Sequence, residues 1–245
     1  MNRSDNWHIS ESRAHLKLGP FEATLDITLP NRGLHELRFR DSPLPLANLL
    51  AVWFTAQHAE QYHVVSDYFI RGRDLVVTYA QQPACPVRLQ VYWRAVDRDD
   101  APDCLAAIDV QVSVQTSLLD AWPALTIGSQ VPTRDVAWMS HSKGDSSQTC
   151  ATTPTVPAGY WRCRLVEHPL SYGEMVHPVG AGRDVLIESE TDLTRLSHHL
   201  FAESLEKGVI LRAQARGVLT STVDDDEAIA AAYGKFLAAP LPLTT

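Results

Sequence analysis

Two neighbouring stretches in the middle of the chain decide the fold. Residues 87–96 read VRLQVYWRAV, and residues 105–116 read LAAIDVQVSVQT. Apolar and polar residues alternate in both, which is the pattern of a strand with one buried and one solvated side. The charged turn at residues 97–103 joins them, so we expect two long antiparallel neighbours. Their polar sides then bring Arg88, Tyr92 and Arg94 near some of Asp109, Gln111 and Gln115, although the sequence does not give the register.

The same alternation recurs on both sides of this pair. Residues 21–29 predict a half-buried strand, and two β-rich runs within residues 62–80 predict a hairpin. Residues 196–203 and 209–220 predict a second hairpin, because a Gly-containing turn joins them. Further strands are expected at residues 161–166, 175–179 and 184–189.

Residues 46–57 are ambiguous, because their apolar residues fit both helical spacing and a buried strand. Pro43 and Pro45 leave little room for a helix cap, so a strand is favoured. The C-terminal residues 224–238 predict the one convincing helix, with acidic residues at its start and an apolar stripe ending at Phe236. We therefore expect an all-β fold, a large antiparallel β-sandwich with a short C-terminal helix.

Residues 1–245 are expected to form a single β-sandwich domain, since a chain of this length can bury about 70% of its surface. Residues 139–158 lack an apolar period and are rich in Ser, Thr and Pro. They predict a long surface loop, for which a domain linker is the competing interpretation.

Charge and motifs exclude several classes of function. The formal charge is −8 and the basic residues are dispersed, which argues against nucleic-acid binding. The sequence shows no signal peptide and no apolar run long enough for a membrane span, so we expect a cytoplasmic protein. Nucleotide-binding loops, a nucleophile elbow and zinc-protease spacing are absent, and we expect neither a cofactor nor a metal. Four cysteines are expected to be reduced: Cys85, Cys104, Cys150 and Cys163.

Glu174, His177 and His168 are the candidate catalytic residues. Each His precedes a Pro, which favours extended backbone and holds the ring at a strand end. Imidazole and carboxylate can act together as general acid and base. On a regular strand, Glu174 and His177 face opposite sides, so their cooperation requires a bend at Pro178 and His168 within about 10 Å of His177. The alternative is that both His are ordinary turn residues.

Aromatic rings beside Arg and Asp are typical of sugar sites, because the ring contacts C–H groups while charged groups bind hydroxyls. Cross-strand packing with surface ion pairs is the alternative interpretation. The candidate ligand-binding residues are Asp67, Arg71, Tyr92, Arg94, Arg164 and Arg212. Arg212, Gln214 and Arg216 share one face of their strand and could line an anion-binding concavity.

The order of alternating strands over residues 13–220, the strand containing Tyr92-Trp93-Arg94, and the later His and Glu resemble the galactose mutarotase-like supersandwich family. The resemblance implies an antiparallel double-sheet fold found in sugar-processing and sugar-binding proteins. Mutarotases use His and a late Glu as acid and base on a pyranose ring. No local motif here assigns either role to a numbered residue, and this chain is shorter than a typical member.

The resulting hypothesis is a protein that binds a carbohydrate or a small polar ligand on the concave face of one sheet. Catalysis, if present, would be metal-free acid–base chemistry by His and Glu, and whether the chain is an enzyme stays open. The alternative is a non-catalytic β-sandwich interaction module. Partners are expected to be a small molecule, not nucleic acid or membrane, with a homo-oligomer formed through a sheet edge as a further option.

Overall fold

A computed structural model describes residues 6–44, 47–54, 64–83, 85–140, 159–179, 181–190, 192–201 and 203–239. The described residues form β-strands, a 3-10 helix at Pro30–Arg32 and one α-helix, α1 (Asp225–Ala238). The strands are β1 (Trp7–Ser10), β2 (Arg13–Leu18), β3 (Phe21–Asp26), β4 (Leu34–Phe39), β5 (Ser42–Pro43), β6 (Asn48–Phe54), β7 (Val65–Arg71), β8 (Asp74–Tyr79), β9 (Arg88–Ala95), β10 (Ala106–Gln115), β11 (Asp120–Ala121), β12 (Leu125–Ser140), β13 (Gly159–Leu165), β14 (Leu170–Val176), β15 (Ala181–Glu190), β16 (Leu193–Leu200), β17 (Leu205–Glu206) and β18 (Ile210–Ser221). The predicted all-β class with a C-terminal helix is confirmed.

Sixteen strands form one continuous antiparallel network that folds into two layers. Layer 1 has the strand order β1-β2-β3-β4-β6-β12-β16-β15. Layer 2 has the order β12-β13-β14-β18-β10-β9-β8-β7. β12 belongs to both, because residues 125–132 pair with β16 while residues 133–140 pair with β13. One long strand therefore joins the two layers.

The inward side chains of the two layers form the main hydrophobic core, which includes Trp7, Phe21 and Trp93. Hydrogen bonds also cross between the layers. The Tyr79 hydroxyl donates to the Ile27 carbonyl at 2.9 Å, and the Trp7 indole N–H donates to the Arg73 carbonyl at 3.1 Å. Period-two alternation thus produces two sheets that share one apolar interior.

Several local predictions are confirmed by the strand register. β9 and β10 are antiparallel neighbours, with Arg94 opposite Asp109 and Tyr92 opposite Gln111. β7 and β8 form the predicted hairpin, and Gly72 in its turn has a φ of +62°. The ambiguous segment contains strand β6, as favoured.

The predicted hairpin between residues 196–203 and 209–220 is wrong. β16 pairs with β12 and β15, whereas β18 pairs with β14 and β10. The two strands lie in different layers, and the short β17 between them pairs with β11. Alternation shows which side of a strand is buried, but it does not choose the neighbouring strand.

Only the first two residues of the predicted surface loop lie within the described residues. Met139 and Ser140, at the start of predicted loop 139–158, are the last residues of β12. Residues 141–158 lie outside the described residues. No helix in the described part of the chain is long and apolar enough to cross a membrane.

Three of the four cysteines lie in the described residues, and all three are free thiols: Cys85, Cys104 and Cys163. Cys85 and Cys163 are buried among apolar side chains of the main core. Burial raises the pKa of Cys104 to about 11, so this thiol is protonated at neutral pH.

Helix α1 covers part of the outer face of layer 2, the side that points away from layer 1. Ile229 packs over Gly173, where an added Cβ would lie 2.7 Å from the Ile229 side chain. Asp225 anchors the first turn and is 2% exposed. Its carboxylate accepts a hydrogen bond from Arg164 Nε at 2.9 Å and one from the Ser171 hydroxyl at 2.6 Å.

Asp225 is expected to make stability depend on acid pH. Burial raises the pKa of Asp225, but the hydrogen bonds from Arg164 and Ser171 and the charges of Arg164 and Arg162 together lower it by more, so the net shift is downward. A carboxyl with a lowered folded-state pKa stabilises the fold above its unfolded pKa of about 4, and this contribution is lost as the pH falls through the folded value. Thermal unfolding between about pH 5 and about pH 2 should therefore show a smaller loss for Asp225→Asn than for the wild type. The exposed control Asp99→Asn should keep the wild-type slope, and equal slopes in all three proteins would contradict this role.

Candidate functional site

Most of the predicted site residues lie on the outer face of layer 2. Strand register arranges its side chains in rows that run across β18, β10, β9, β8 and β7. We call this surface the polar face, and it contains His177, Asp67, Arg71, Asp74, Gln90, Tyr92, Arg94, Asp109, Gln111, Ser113, Arg212, Gln214 and Arg216. The predicted residues that it brings together are Asp67, Arg71, Tyr92, Arg94, Arg212 and His177.

The centre of the polar face is a buried ion pair. Arg216 is 3% exposed and binds Asp109 through Nε at 2.6 Å and Nη2 at 3.0 Å. The Gln214 amide donates to the same carboxylate at 3.0 Å. Arg94 binds Asp74 in the same bidentate way, at 2.7 and 3.0 Å. Such bidentate pairs satisfy their own charges and hold adjacent strands in register.

Gln111 is the one side chain of this centre whose hydrogen bonding is incomplete. It is 6% exposed, although it lies on an outward-facing side of the sheet. Its Nε2 finds no hydrogen-bond partner among the residues that the structure describes. An unpaired buried amide donor costs about 1–3 kcal/mol, which makes Gln111 a position where a ligand oxygen would be favourable.

His177 lies next to Gln214 at the end of β14. Its backbone N–H donates to the Gln214 carbonyl at 2.8 Å, and its ring contacts the edge of Phe236 with centroids 5.7 Å apart. The Val179 N–H donates to Nδ1 at 3.2 Å, so the neutral ring carries its proton on Nε2. Burial lowers the pKa of His177, and the ring is therefore a neutral hydrogen-bond donor near pH 7.

His177, Gln214 and Gln111 lie on one cross-strand row, which becomes apolar towards the sheet edge. Beyond Gln111 it continues through Tyr92, Val76 and Phe69. The Tyr92 hydroxyl donates to Gln90 Oε1 at 2.7 Å, and Phe69 is 39% exposed. This row of the polar face therefore places aromatic rings beside hydrogen-bond donors.

Glu174 lies on the opposite side of layer 2, in the core. Its side chain is fully buried, and its Oε1 is 2.9 Å from His198 Nε2 on β16. The Tyr172 hydroxyl donates to Oε2 at 2.7 Å, and the Ser129 hydroxyl donates to the same oxygen. Leu50 N–H in turn donates to Ser129 Oγ at 2.9 Å. We call these four side chains, Ser129, Tyr172, Glu174 and His198, the buried network.

The predicted acid–base grouping is not formed. His168 lies in the turn before β14 and His177 directly after it, so the full length of β14 separates them, about 23 Å at 3.3 Å per residue. Glu174 faces the core, whereas His177 faces the outer side. The chain does not bend at Pro178 to bring them together, because His177 continues the pairing of β14 with β18. Glu174 contacts His198 instead.

Arg164 is also placed away from the other ligand-binding candidates. It lies on β13, on the same side of layer 2, where it binds Asp225 and Asp135. Helix α1 packs between this position and the polar face. Its contacts identify Arg164 as an anchor for the helix.

Sequence reasoning did not select Ser129, Tyr172 or His198. Of these, His198 carried the only signal, since it and His199 must face opposite sides of a strand and one of them must point inward. The structure confirms this, because His199 Nδ1 is 3.1 Å from the Thr126 hydroxyl and lies outside the buried network. Within the described ranges, no group of three or more His, Cys, Asp or Glu side chains could hold a metal ion.

No protein-family model matches the chain, and no curated protein matches it in sequence. Solved structures do match. A crystal structure described as that of a "putative mutarotase", YeaD from Salmonella typhimurium, superposes with a TM-score of 0.54 at 8% identity and covers 88% of this chain and 93% of that chain. This chain is similar in fold to YeaD. At such low identity, the likeness shows the fold alone.

A second match is a heparinase III, the BT4657 gene product, with a TM-score of 0.49 at 9% identity. It covers 91% of this chain but 37% of that chain. Of the expected resemblance, the first of these matches shows a likeness in fold and no more.

Proposed function

We propose that this protein binds a carbohydrate, or a closely related small polar molecule, on the polar face. Gln111 is the observation that carries the proposal, because its amide donor is buried and unpaired in the described structure between His177 and Tyr92 on one row. An amide, a neutral imidazole and an aromatic ring are the groups that sugar recognition uses, since the ring contacts apolar C–H groups while the donors bind hydroxyl oxygens.

The fold gives independent support. One structure that it resembles over most of both chains is described as a "putative mutarotase". Fold alone does not determine function, so the proposal depends on the side chains of the polar face.

Binding, rather than catalysis, is the function that we propose for this face. The buried carboxylates of Asp109 and Asp74 are each held by an arginine and are not available as proton acceptors. Glu174 lies in the core, and His168 lies at the other end of β14. His177 then acts as a donor to a bound oxygen, without a carboxylate partner.

Thermal unfolding in the presence of a panel of monosaccharides and sugar acids tests this proposal. A ligand at about 100 times its Kd stabilises the fold by about 2.7 kcal/mol, which raises the Tm by several degrees in a chain of this size. Gln111→Leu should weaken binding by about tenfold or more, since the hydrogen bond to the ligand is lost. The same variant should unfold at or above the wild-type temperature, because it removes an unpaired buried donor. Gln130→Leu in layer 1 is the matched control and should bind normally.

A non-catalytic interaction module is the second candidate, and the edge strand β7 favours it. Three consecutive residues of β7 are exposed, Tyr68 at 46%, Phe69 at 39% and Ile70 at 37%. An exposed apolar edge is suited to pairing with another strand, including that of a second copy. The same experiment separates the candidates. If no sugar stabilises the protein but the Tm rises with protein concentration, ligand binding is contradicted and self-association is supported.

A further inference from the structure

A second concave site lies on layer 1, remote from the polar face. It is a cavity of about 990 Å³ on the outer side of β2, β3 and β4. The segment containing Pro43, Leu44, Ala47 and Asn48 forms another wall. Its polar lining includes Lys17, Glu22, Thr24, Arg32, His35 and Arg38. We call it the layer 1 cleft.

Histidines follow one cross-strand row into this cleft. His8 is opposite His15, His15 is opposite Thr24, and Thr24 is opposite His35. Three strand spacings separate His8 from His35, about 14 Å. The three rings are therefore spaced along the floor rather than gathered round one point. This spacing does not suit one metal ion.

His35 is the residue that points to a ligand. It is 3% exposed and lines the cleft. Its Nδ1 is 3.1 Å from the Gly33 carbonyl, which can only accept, so Nδ1 carries the proton. In the neutral ring Nε2 is then an acceptor, and this buried atom has no partner within the described part of the chain. A ligand hydroxyl is the kind of donor that would satisfy it.

The charges of the cleft favour an anion. Lys17 is neutralised by Glu22 at 2.6 Å, and Glu36 is paired with Arg13 at 3.6 Å. Arg32 and Arg38 also line the cleft, and neither forms an ion pair with a residue that the structure describes. Arg38 lies opposite Glu22 on β3, and its Nη2 donates to the Asp41 carbonyl. Arg38 also attracts the Glu22 carboxylate, but Lys17 and Arg38 together outnumber this one acid. The positive charge that remains at Arg32 and Arg38 suits a carboxylate or a phosphate.

We propose that the layer 1 cleft binds a small hydroxylated acid. Its oxyanion, a carboxylate or a phosphate ester, is held by Arg32 and Arg38, and one of its hydroxyls donates to His35 Nε2. This inference does not depend on the function of the polar face, because the two sites lie on different layers and share no residue.

NMR of the protein with ¹³C-labelled histidine tests the proposal, with glycerate, glycerol 3-phosphate, propionate and glycerol as probes at constant ionic strength. Both hydroxylated acids should shift the His35 ring signal saturably, and whichever binds more tightly identifies the oxyanion. Glycerol should not bind, because it lacks the anion. Propionate should bind more weakly than glycerate, because it lacks the hydroxyl that His35 accepts.

Variants sharpen the test. Arg38→Gln should weaken acid binding by about tenfold. Arg40→Gln removes the same charge from a neighbouring residue that stacks on Phe39 outside the cleft lining, and it should change binding less than about twofold. His35→Leu should abolish the preference for glycerate over propionate. If that variant does not fold, the comparison of Arg38→Gln with Arg40→Gln and the four probes still test the proposal. The proposal is overturned if no acid gives a saturable shift, if glycerol binds as tightly as glycerate, or if Arg40→Gln weakens binding as much as Arg38→Gln.

Discussion

Glu174→Ala is expected to lower the free energy of unfolding by about 3–5 kcal/mol. The carboxylate is fully buried and accepts hydrogen bonds from Ser129 and Tyr172 while it contacts His198. Removal of the carboxylate leaves these polar partners without their acceptor in a site that is closed to solvent. Urea unfolding at pH 7, with the slope compared among variants, measures the loss.

Two matched variants distinguish the loss of the hydrogen bonds in the buried network from the loss of a carboxylate alone. Glu174→Gln keeps the shape and an acceptor oxygen, so it should cost less than Glu174→Ala. Glu203→Ala removes a carboxylate from an exposed position and should change stability by less than about 0.5 kcal/mol. A Glu174→Ala protein as stable as Glu203→Ala would show that the network does not stabilise the fold.

The buried network also links the two layers. Ser129 and His198 belong to strand segments of layer 1, whereas Tyr172 and Glu174 belong to β14 of layer 2. Gly217 lies opposite Glu174 on β18, and an added Cβ there would be 2.7 Å from the Tyr172 hydroxyl. The absence of a side chain at Gly217 therefore leaves the space that Tyr172 needs to reach Glu174.

Gly33→Ala is expected to cost at least about 3 kcal/mol or to prevent folding. Gly33 has φ 59° and ψ −157°, a region that essentially only glycine adopts. A Cβ there would also lie 2.4 Å from the Leu49 carbonyl oxygen and 2.6 Å from the Ala51 nitrogen. Both neighbours are backbone atoms of β6, so neither can turn aside as a side chain could.

Gly19→Ala is the matched control for this prediction. Its φ is 58°, but nothing lies within 4 Å of the position that its Cβ would occupy. It should cost about 1–2 kcal/mol from backbone strain alone. Chemical denaturation of both variants then gives, by difference, the combined cost of the close approach to β6 and of the unusual ψ of Gly33. Equal losses would mean that β6 does not closely contact the turn before β4.

The polar face shows which features of the site the alternation of apolar and polar residues can predict. The pattern of residues 87–96 and 105–116 predicts that Tyr92 and Arg94 share a side with some of the polar residues of the next strand, and the structure pairs them with Gln111 and Asp109. What the pattern could not show is that Asp109 would be held by Arg216, because these residues are 107 positions apart. It also could not show that Gln111 would be buried with an unpaired donor.

The acid–base hypothesis failed for a related reason. The hypothesis combines Glu174 and His177 because His177 precedes a Pro at an expected strand end, and it requires a bend at Pro178. Alternation sends these two side chains to opposite sides of layer 2, and the partner of Glu174 comes from β16, 24 residues away. No local signal identified that partner.

The amino-acid sequence by itself determined that strands lie within residues 21–29, 87–96 and 105–116, which side of these strands faces the core, and where α1 begins. These properties depend on backbone geometry and on neighbours two to four positions away. Only the tertiary structure decided that β16 and β18 lie in different layers, that Glu174 meets His198, and that the cleft forms around His35. Strand pairing brings together distant segments whose alternation is nearly interchangeable, so the choice of partner depends on how the whole interior packs.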